Sequence, residues 1–264
     1  VTSTEHVAND APAVAAFIAK WRAREPEMVY AEVFCARPQR MRFAVWGALL
    51  FELRESAFEL SDARPTEAKC SWWADEAIRS AQAAPRHPLT KALAAPGLPW
   101  SALARGLIQV AHGEPSRPAD RNAALAAVAP LAGAIALVEA ALFEVSMTAD
   151  ASRAVAVHLL SERLRTGLAA ADGGRVPLSL LARHGIASAM LAQPQGAPAV
   201  RDWAAELACA LPSDLSGAAL FRRTRAAFDG WHLHEYAKGR DRRMPPLRTL
   251  GLAWRGARQN SGAV

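Results

Sequence analysis

The chain is a succession of helix-length apolar stretches cut by proline-bearing breaks, and this punctuation constrains its fold more than any single motif. The breaks are SDARPT, AAPRHP, AAPGLP, HGEPSRPAD, ADGGRVP and AQPQGAPAV. Between them Ala and Leu dominate, runs of β-branched residues are nearly absent, and apolar positions recur at helical spacing. The pattern predicts helices over residues 10–24, 38–61, 64–83, 87–95, 100–112, 120–147, 150–169, 178–184, 199–210, 214–237 and 246–258. Asp62 ahead of Arg64-Pro65 ends one helix and starts the next, and Asp120 caps the long central one. The expected class is therefore all-α. With 264 residues and 52% hydrophobic content, one domain spanning residues 1–264 is the simplest count. Residues 191–199 are its loosest linker. There is no repeat of fixed period.

Most familiar chemistry is missing. The sequence holds no phosphate loop, no GxGxxG after a strand, no HExxH and no GxSxG. His232 and His234 sit two apart on an expected helix, so they point to different faces and make a poor metal pair. Cys35, Cys70 and Cys209 show no paired spacing, which fits a reducing compartment and supports neither a disulfide framework nor a zinc site. The N-terminal VTSTEHVAND has neither a basic start nor an apolar run, so no signal peptide is expected. The stretch AALAAVAPLAGAIALVEAALFEV carries Pro130 and Glu139 and reads as a core helix, not a membrane span.

One helix is unusual. In ALLFELRESAFELSD, residues 48–62, Glu52, Glu55 and Glu59 fall within an arc of roughly 60°. Trp46, Leu49, Leu53 and Leu60 flank this arc on one side, Phe51 and Phe58 on the other. A solvated face would be wider and would mix Lys with Glu. A narrow acidic stripe between apolar flanks predicts carboxylates facing a polar cavity. The adjacent Trp72 and Trp73 would either pack against neighbouring helices or line an apolar ligand cavity.

Three longer stretches resemble the squalene/phytoene synthase family, the head-to-head prenyltransferases. ARPQRMRFAVWGALLFELRESAFELSD is similar to the family's opening segment, where a Pro and basic residues lead into the helix of the first aspartate-rich motif. EAKCSWWADEAIRSAQAAPRHPLTKAL resembles the next stretch, with its double Trp, acidic pair and His-Pro-Leu helix start. GGRVPLSLLARHGI resembles the region after the second motif. The matches occur in order over most of residues 30–190. They imply an isoprenoid synthase fold, a helical bundle around a central cavity, in which two aspartate-rich motifs on facing helices hold Mg2+ and Mg2+ holds a prenyl diphosphate.

Carried over without gaps from Pro38, the first motif places its outer acids on Glu55 and Glu59 and its middle acid on Ser56. A gap of two residues would instead place Ala57, Phe58 and Ser61 there, and no acid. The second motif should lie in AVHLLSERLRTGLAADGGRVP. Anchored on Pro177 its acids fall on Leu164 and Leu168, and anchored on Gly174-Arg175 they fall on Thr166 and Ala170. Neither choice supplies a carboxylate, and Glu162 stands beside Arg163 and Arg165. The resemblance thus makes Glu55 and Glu59, with Glu52, the candidate metal or diphosphate ligands. Arg163, Arg165 and Arg40 become the candidate diphosphate-binding cations, and Phe51, Phe58 and Trp72 the candidate cavity lining; no catalytic residue is assigned. Two expectations follow. One is a divergent, weakly active or inactive protein that binds an isoprenoid or lipid, or serves in assembly as a complex I assembly branch of the family does. The other is an active prenyltransferase using Mg2+ and farnesyl or geranylgeranyl diphosphate.

The net charge of +6 is concentrated at one end. Residues 221–264 hold ten basic residues against three acidic ones, a net of +7, so the remainder sums to about −1. This basic C-terminal segment, with Trp231, Tyr236 and Trp254 interspersed, is expected either to solubilise the last helices and pair internally or to dock on an anionic membrane surface. Nucleic acid is disfavoured, because no recognition motif accompanies the charge. The expected location is cytoplasmic, with peripheral contact at the inner face of the membrane.

Overall fold

The computed structural model describes residues 3–59, 63–113, 117–166 and 176–258, and among these the regular secondary structure is all helix, with no strand. The helices are α1 (Ser3–Arg24), α2 (Glu27–Glu32), α3 (Arg40–Arg54), α4 (Ala63–Ala81), α5 (Pro88–Ala92), α6 (Trp100–Ala111), α7 (Arg121–Leu142), α8 (Ala149–Thr166), α9 (Leu178–His184), α10 (Ala197–Ala210), α11 (Leu220–Ala237) and α12 (Pro246–Arg258). A π-helical turn, Glu55–Glu59, prolongs α3. The expected all-α class is what the chain adopts.

Helix starts follow local chemistry. Asp120 accepts the Ala123 amide at 2.9 Å and opens α7, as its place in the sequence predicts. The Thr148 hydroxyl accepts the Ala151 amide at 3.0 Å at the start of α8. His87 Nδ1 accepts the Leu89 amide at 3.2 Å ahead of Pro88. Gly185 closes α9 with φ of 61°, a left-handed geometry that suits glycine. Several boundaries differ from expectation, α1 among them, which begins at Ser3 and not 10. α7 stops at Leu142 and not 147, because Glu144 turns to φ of 57°. α11 begins at Leu220 and not 214, and α2 was not anticipated, since its six residues after Pro26 are too short to show a period.

α7 lies between α6 and α8, α4 packs on α6, and α11 contacts α8, α10, α12 and α2. α1 lies across α3 and α5. Among the described residues α7 is long and apolar enough to cross a membrane, but its buried stripe from Ala124 to Leu142 packs inside the bundle. Pro130 stands on its solvent side, as does Ala126, whose carbonyl the proline cannot satisfy and water can. Trp21, Phe43 and Phe221 stack where α1, α3 and α11 meet. Gly47 makes room for this, since a Cβ there would lie 2.3 Å from the Trp21 ring.

Candidate functional site

The acidic stripe sits where α3 passes into the π turn. The Ser56 hydroxyl donates to the Glu52 carbonyl at 2.8 Å, competing with the backbone ladder at the point where it widens. Ser56, at the middle position of the ungapped motif, also accepts the Trp73 indole N–H at 3.1 Å and is buried. It therefore points at α4 and not at a ligand. Glu52 and Glu55 share another partner. Lys20 of α1 places its ammonium 2.8 Å from Glu52 Oε1 and 2.8 Å from Glu55 Oε2. Burial pulls the Lys20 pKa down, but the bonds to Glu52 and Glu55 outweigh it and the net shift is upward. The two carboxylates are mostly sheltered, with side chains 14% and 26% exposed. Lys20 also stands 5.0 Å from the centre of the Phe51 ring, which Arg24 and Arg54 approach as well.

The other candidates scatter. Phe51 and Phe58 are buried in the core, while Trp72 is 49% exposed and packs edge-on against Trp73 and His87. Arg40 donates to the carbonyls of Cys35 and Val33 at the end of α2. The side chains of Glu59, Arg163 and Arg165 lie outside the described residues.

α8 packs against the π turn, so the two helices that the resemblance pairs do face each other. What joins them is a buried charge network. Arg54 Nη1 stands 3.0 Å from His158 Nε2 of α8 and 2.6 Å from Glu25 Oε1. An arginine can only donate, so His158 Nε2 accepts and Nδ1 carries the hydrogen given to Asp229 Oδ2 at 3.0 Å. Arg225 of α11 reaches Asp229 at 3.0 Å, Glu25 at 3.1 Å and Glu27 at 3.1 Å. Glu25 also accepts the Trp21 indole N–H at 3.0 Å, and His232 Nε2 lies 3.4 Å from Glu27. A second buried cluster joins three helices: Glu139 of α7 receives both the Arg222 guanidinium of α11 and, at 3.0 Å, the Trp46 indole of α3. Arg222, Arg223 and Arg225, counted in the sequence with a basic surface, are thus interior residues.

A roomy cavity lies elsewhere. It has about 1310 Å³ and runs between one face of α1, the start of α3 and α5. Val14, Ile18, Met41 and Ala44 give it an apolar floor, and Arg40 stands in its wall. Lys91–Asp10 at 2.8 Å and Arg22–Glu32 at 2.6 Å are ion pairs on its rim. Glu52, Glu55, Phe51, Phe58 and Trp72 are not among its lining residues.

Among the described residues, the side chains do not fit the Mg2+ that the resemblance implies. Glu55, the described carboxylate of the first motif, and its neighbour Glu52 are both engaged by Lys20. Among the described residues no group of three or more His, Cys, Asp or Glu side chains converges on a metal position. On the facing helix Leu164, one expected acid position, packs against the core.

A dehydrosqualene synthase, solved as a crystal structure with a ligand, matches 96% of this chain and 96% of its own at a TM-score of 0.65 and 15% sequence identity. The chain has the isoprenoid synthase fold. At this identity the likeness reaches the fold alone. No known family profile matches the sequence, and no curated protein matches it. Within the isoprenoid synthase fold, three features escaped sequence reading: Lys20 as the partner of the glutamates, the buried network, and the cavity along α1. Only the network left a trace, in Arg54 inside an apolar run and in Arg225 four residues before Asp229.

Proposed function

We propose that this chain uses the isoprenoid synthase fold to bind an isoprenoid or another lipid, without metal-dependent prenyl transfer. The observation that carries this reading is the Lys20 ammonium set between Glu52 and Glu55. Two prenyl diphosphates bring roughly −6 of charge into a low-dielectric site, and ionising one needs a cation on its leaving group. A divalent ion at Glu52 and Glu55 would have to displace Lys20, while Arg54 and His158 already occupy the interface between α3 and α8. The cavity along α1 supports the binding half of the reading. It is concave, mostly apolar and edged by a few charged groups that pair with one another, as suits a long apolar chain with a modest head.

The test uses the full-length protein. With farnesyl or geranylgeranyl diphosphate, Mg2+ and NADPH, it is expected to yield no head-to-head product by mass spectrometry. Farnesol is expected to bind with or without chelator, and Ala15→Trp, placed in the cavity wall, is expected to block it. Turnover that disappears in Glu55→Ala and Glu59→Ala would overturn the non-catalytic reading. Failure of farnesol and longer prenols to bind would overturn the ligand.

A further inference from the structure

We infer that the outer face of α12 is a docking surface for an anionic lipid bilayer, lying flat on it with Leu247, Leu250 and Trp254 inserted. The inner face already does the structural work. Thr249, Leu252, Ala253 and Gly256 are buried against the bundle, and α12 contacts α11 and α2. A Cβ on Gly256 would stand 3.0 Å from Thr224, so the helix is seated closely. Arg223 clamps its last turn by donating to the Gly256 carbonyl at 2.7 Å.

The fold makes no use of the opposite face. Leu247 is 86% exposed, Trp254 49% and Leu250 42%. At helical spacing these three share one stripe with Gly251 and Arg258, directly opposite the buried stripe. Single exposed apolar residues need no explanation, but three along one face of one helix do. Arg258 lies over the Trp254 ring at 4.8 Å, and Arg248 and Arg255 flank the stripe on one side. Neither Arg248 nor Arg255 has an ion-pair partner among the described residues, and residues 246–258 contain no Asp or Glu.

Charge complementarity selects the occupant. The surface opposite this face must be apolar below and negative above, continuous over a helix about 20 Å long. An anionic bilayer offers both layers, with the aromatic and the arginines at headgroup depth. Val29, at 41% exposure, and Val33, at 62%, add apolar surface on and just beyond α2, the helix that packs beside α12. α2 also contributes Glu32 to the cavity wall.

Sedimentation of the full-length protein with vesicles tests this. Binding is expected to phosphatidylglycerol-containing vesicles at low salt, with far less to phosphatidylcholine alone, and a decline as salt rises. Arg248→Glu/Arg255→Glu is expected to cut partitioning at least about tenfold, at roughly the contribution of one basic residue per charge removed. Leu247→Ser/Trp254→Ser is expected to abolish binding while shifting the thermal melt by only a few degrees, since Leu247 is almost fully exposed and Trp254 half exposed. Brominated lipid should quench tryptophan emission in the wild type and fail to do so to the same extent in Trp254→Phe. Equal binding to both vesicle types, no binding to either, or variants that bind like the wild type would overturn the inference. So would a dimer in solution that Leu247→Ser/Trp254→Ser dissolves, which would assign the face to a second copy of the chain.

Discussion

Replacing Arg225 by Met is expected to be among the most damaging single changes outside the apolar core. The side chain is fully buried and touches Glu25, Glu27 and Asp229 at 3.0–3.1 Å. Methionine keeps most of the volume and none of the charge. Three broken contacts do not mean three full penalties, because Glu25 keeps Arg54 and Trp21, and Asp229 keeps His158. Glu27 keeps the longest of the remaining contacts, His232 at 3.4 Å, so the loss falls mainly there and one broken buried pair, about 3–5 kcal/mol, sets the upper scale. At about 2–4 °C per kcal/mol for a chain of this size, the melting temperature should fall by roughly 6–20 °C.

Urea unfolding followed by circular dichroism measures this, and the midpoint should drop at an unchanged slope. The sign with pH is also fixed. Burial pushes a carboxyl that has lost its arginine above its unfolded value, so its neutral form is favoured in the folded state. The variant's deficit should therefore be smallest near pH 4 and grow as pH rises through the raised folded value. Arg225→Met/Glu27→Gln, which removes the Glu27 charge as well, should recover part of the loss, with a coupling of about 1 kcal/mol or more. A single-variant loss below about 1 kcal/mol, flat with pH, would refute the network as an energetic unit.

Three further outcomes are expected. Burial lowers the pKa of His87, so its capping acceptor is lost only on protonation; stability should fall as pH drops through its ordinary 6.5 and level off below the depressed folded value, and His87→Asn should remove that component from pH-dependent melts. Gly106→Ala would bring a Cβ to 2.9 Å from the Leu131 Cα, a backbone atom that cannot swing aside, and should cost about 1–3 kcal/mol by denaturant titration. Cys209 is exposed, whereas burial raises the Cys70 thiol to about 11; mass spectrometry after mild alkylation at neutral pH should find Cys209 labelled and Cys70 unmodified until the chain unfolds.

The order of helices was legible because its signals are local. Proline and glycine punctuate the breaks, Asp120 caps α7, and the Pro88 start of α5 follows a residue that serves as its cap. The likeness to a prenyl synthase scaffold was legible from short segments in the right order. The fate of the acidic stripe was not. Its partner, Lys20, lies 32 residues before Glu52 and 35 before Glu55, on a helix that looked like an ordinary N-terminal one. A periodic pattern reports which face of a helix avoids water, and a half-sheltered ion pair satisfies that pattern as well as a polar cavity does.

Counting charge along the C-terminal segment left its alternatives open for a related reason, since a formal charge has no address. Eight of its nine arginines divide among three destinations. Arg222, Arg223 and Arg225 hold the interior of α11 to α7, α12 and the residues before and within α2. Arg240 and Arg242 close on Glu235 at 2.8 and 2.6 Å. Burial alone would raise the Glu235 pKa, but its bonds to Arg240 and Arg242 prevail and lower it. That latch is therefore present above pH 4.5, the ordinary carboxyl value, and opens only as pH falls through the lowered one. Buried and latched cations contribute little to a field that a distant surface can feel. The arginines of α12 remain outward, on the helix whose apolar face is also unused. Any salt-sensitive attraction to a surface should accordingly respond to Arg248 and Arg255 and hardly at all to Arg240 or Arg242, although the four are equivalent in a sequence count.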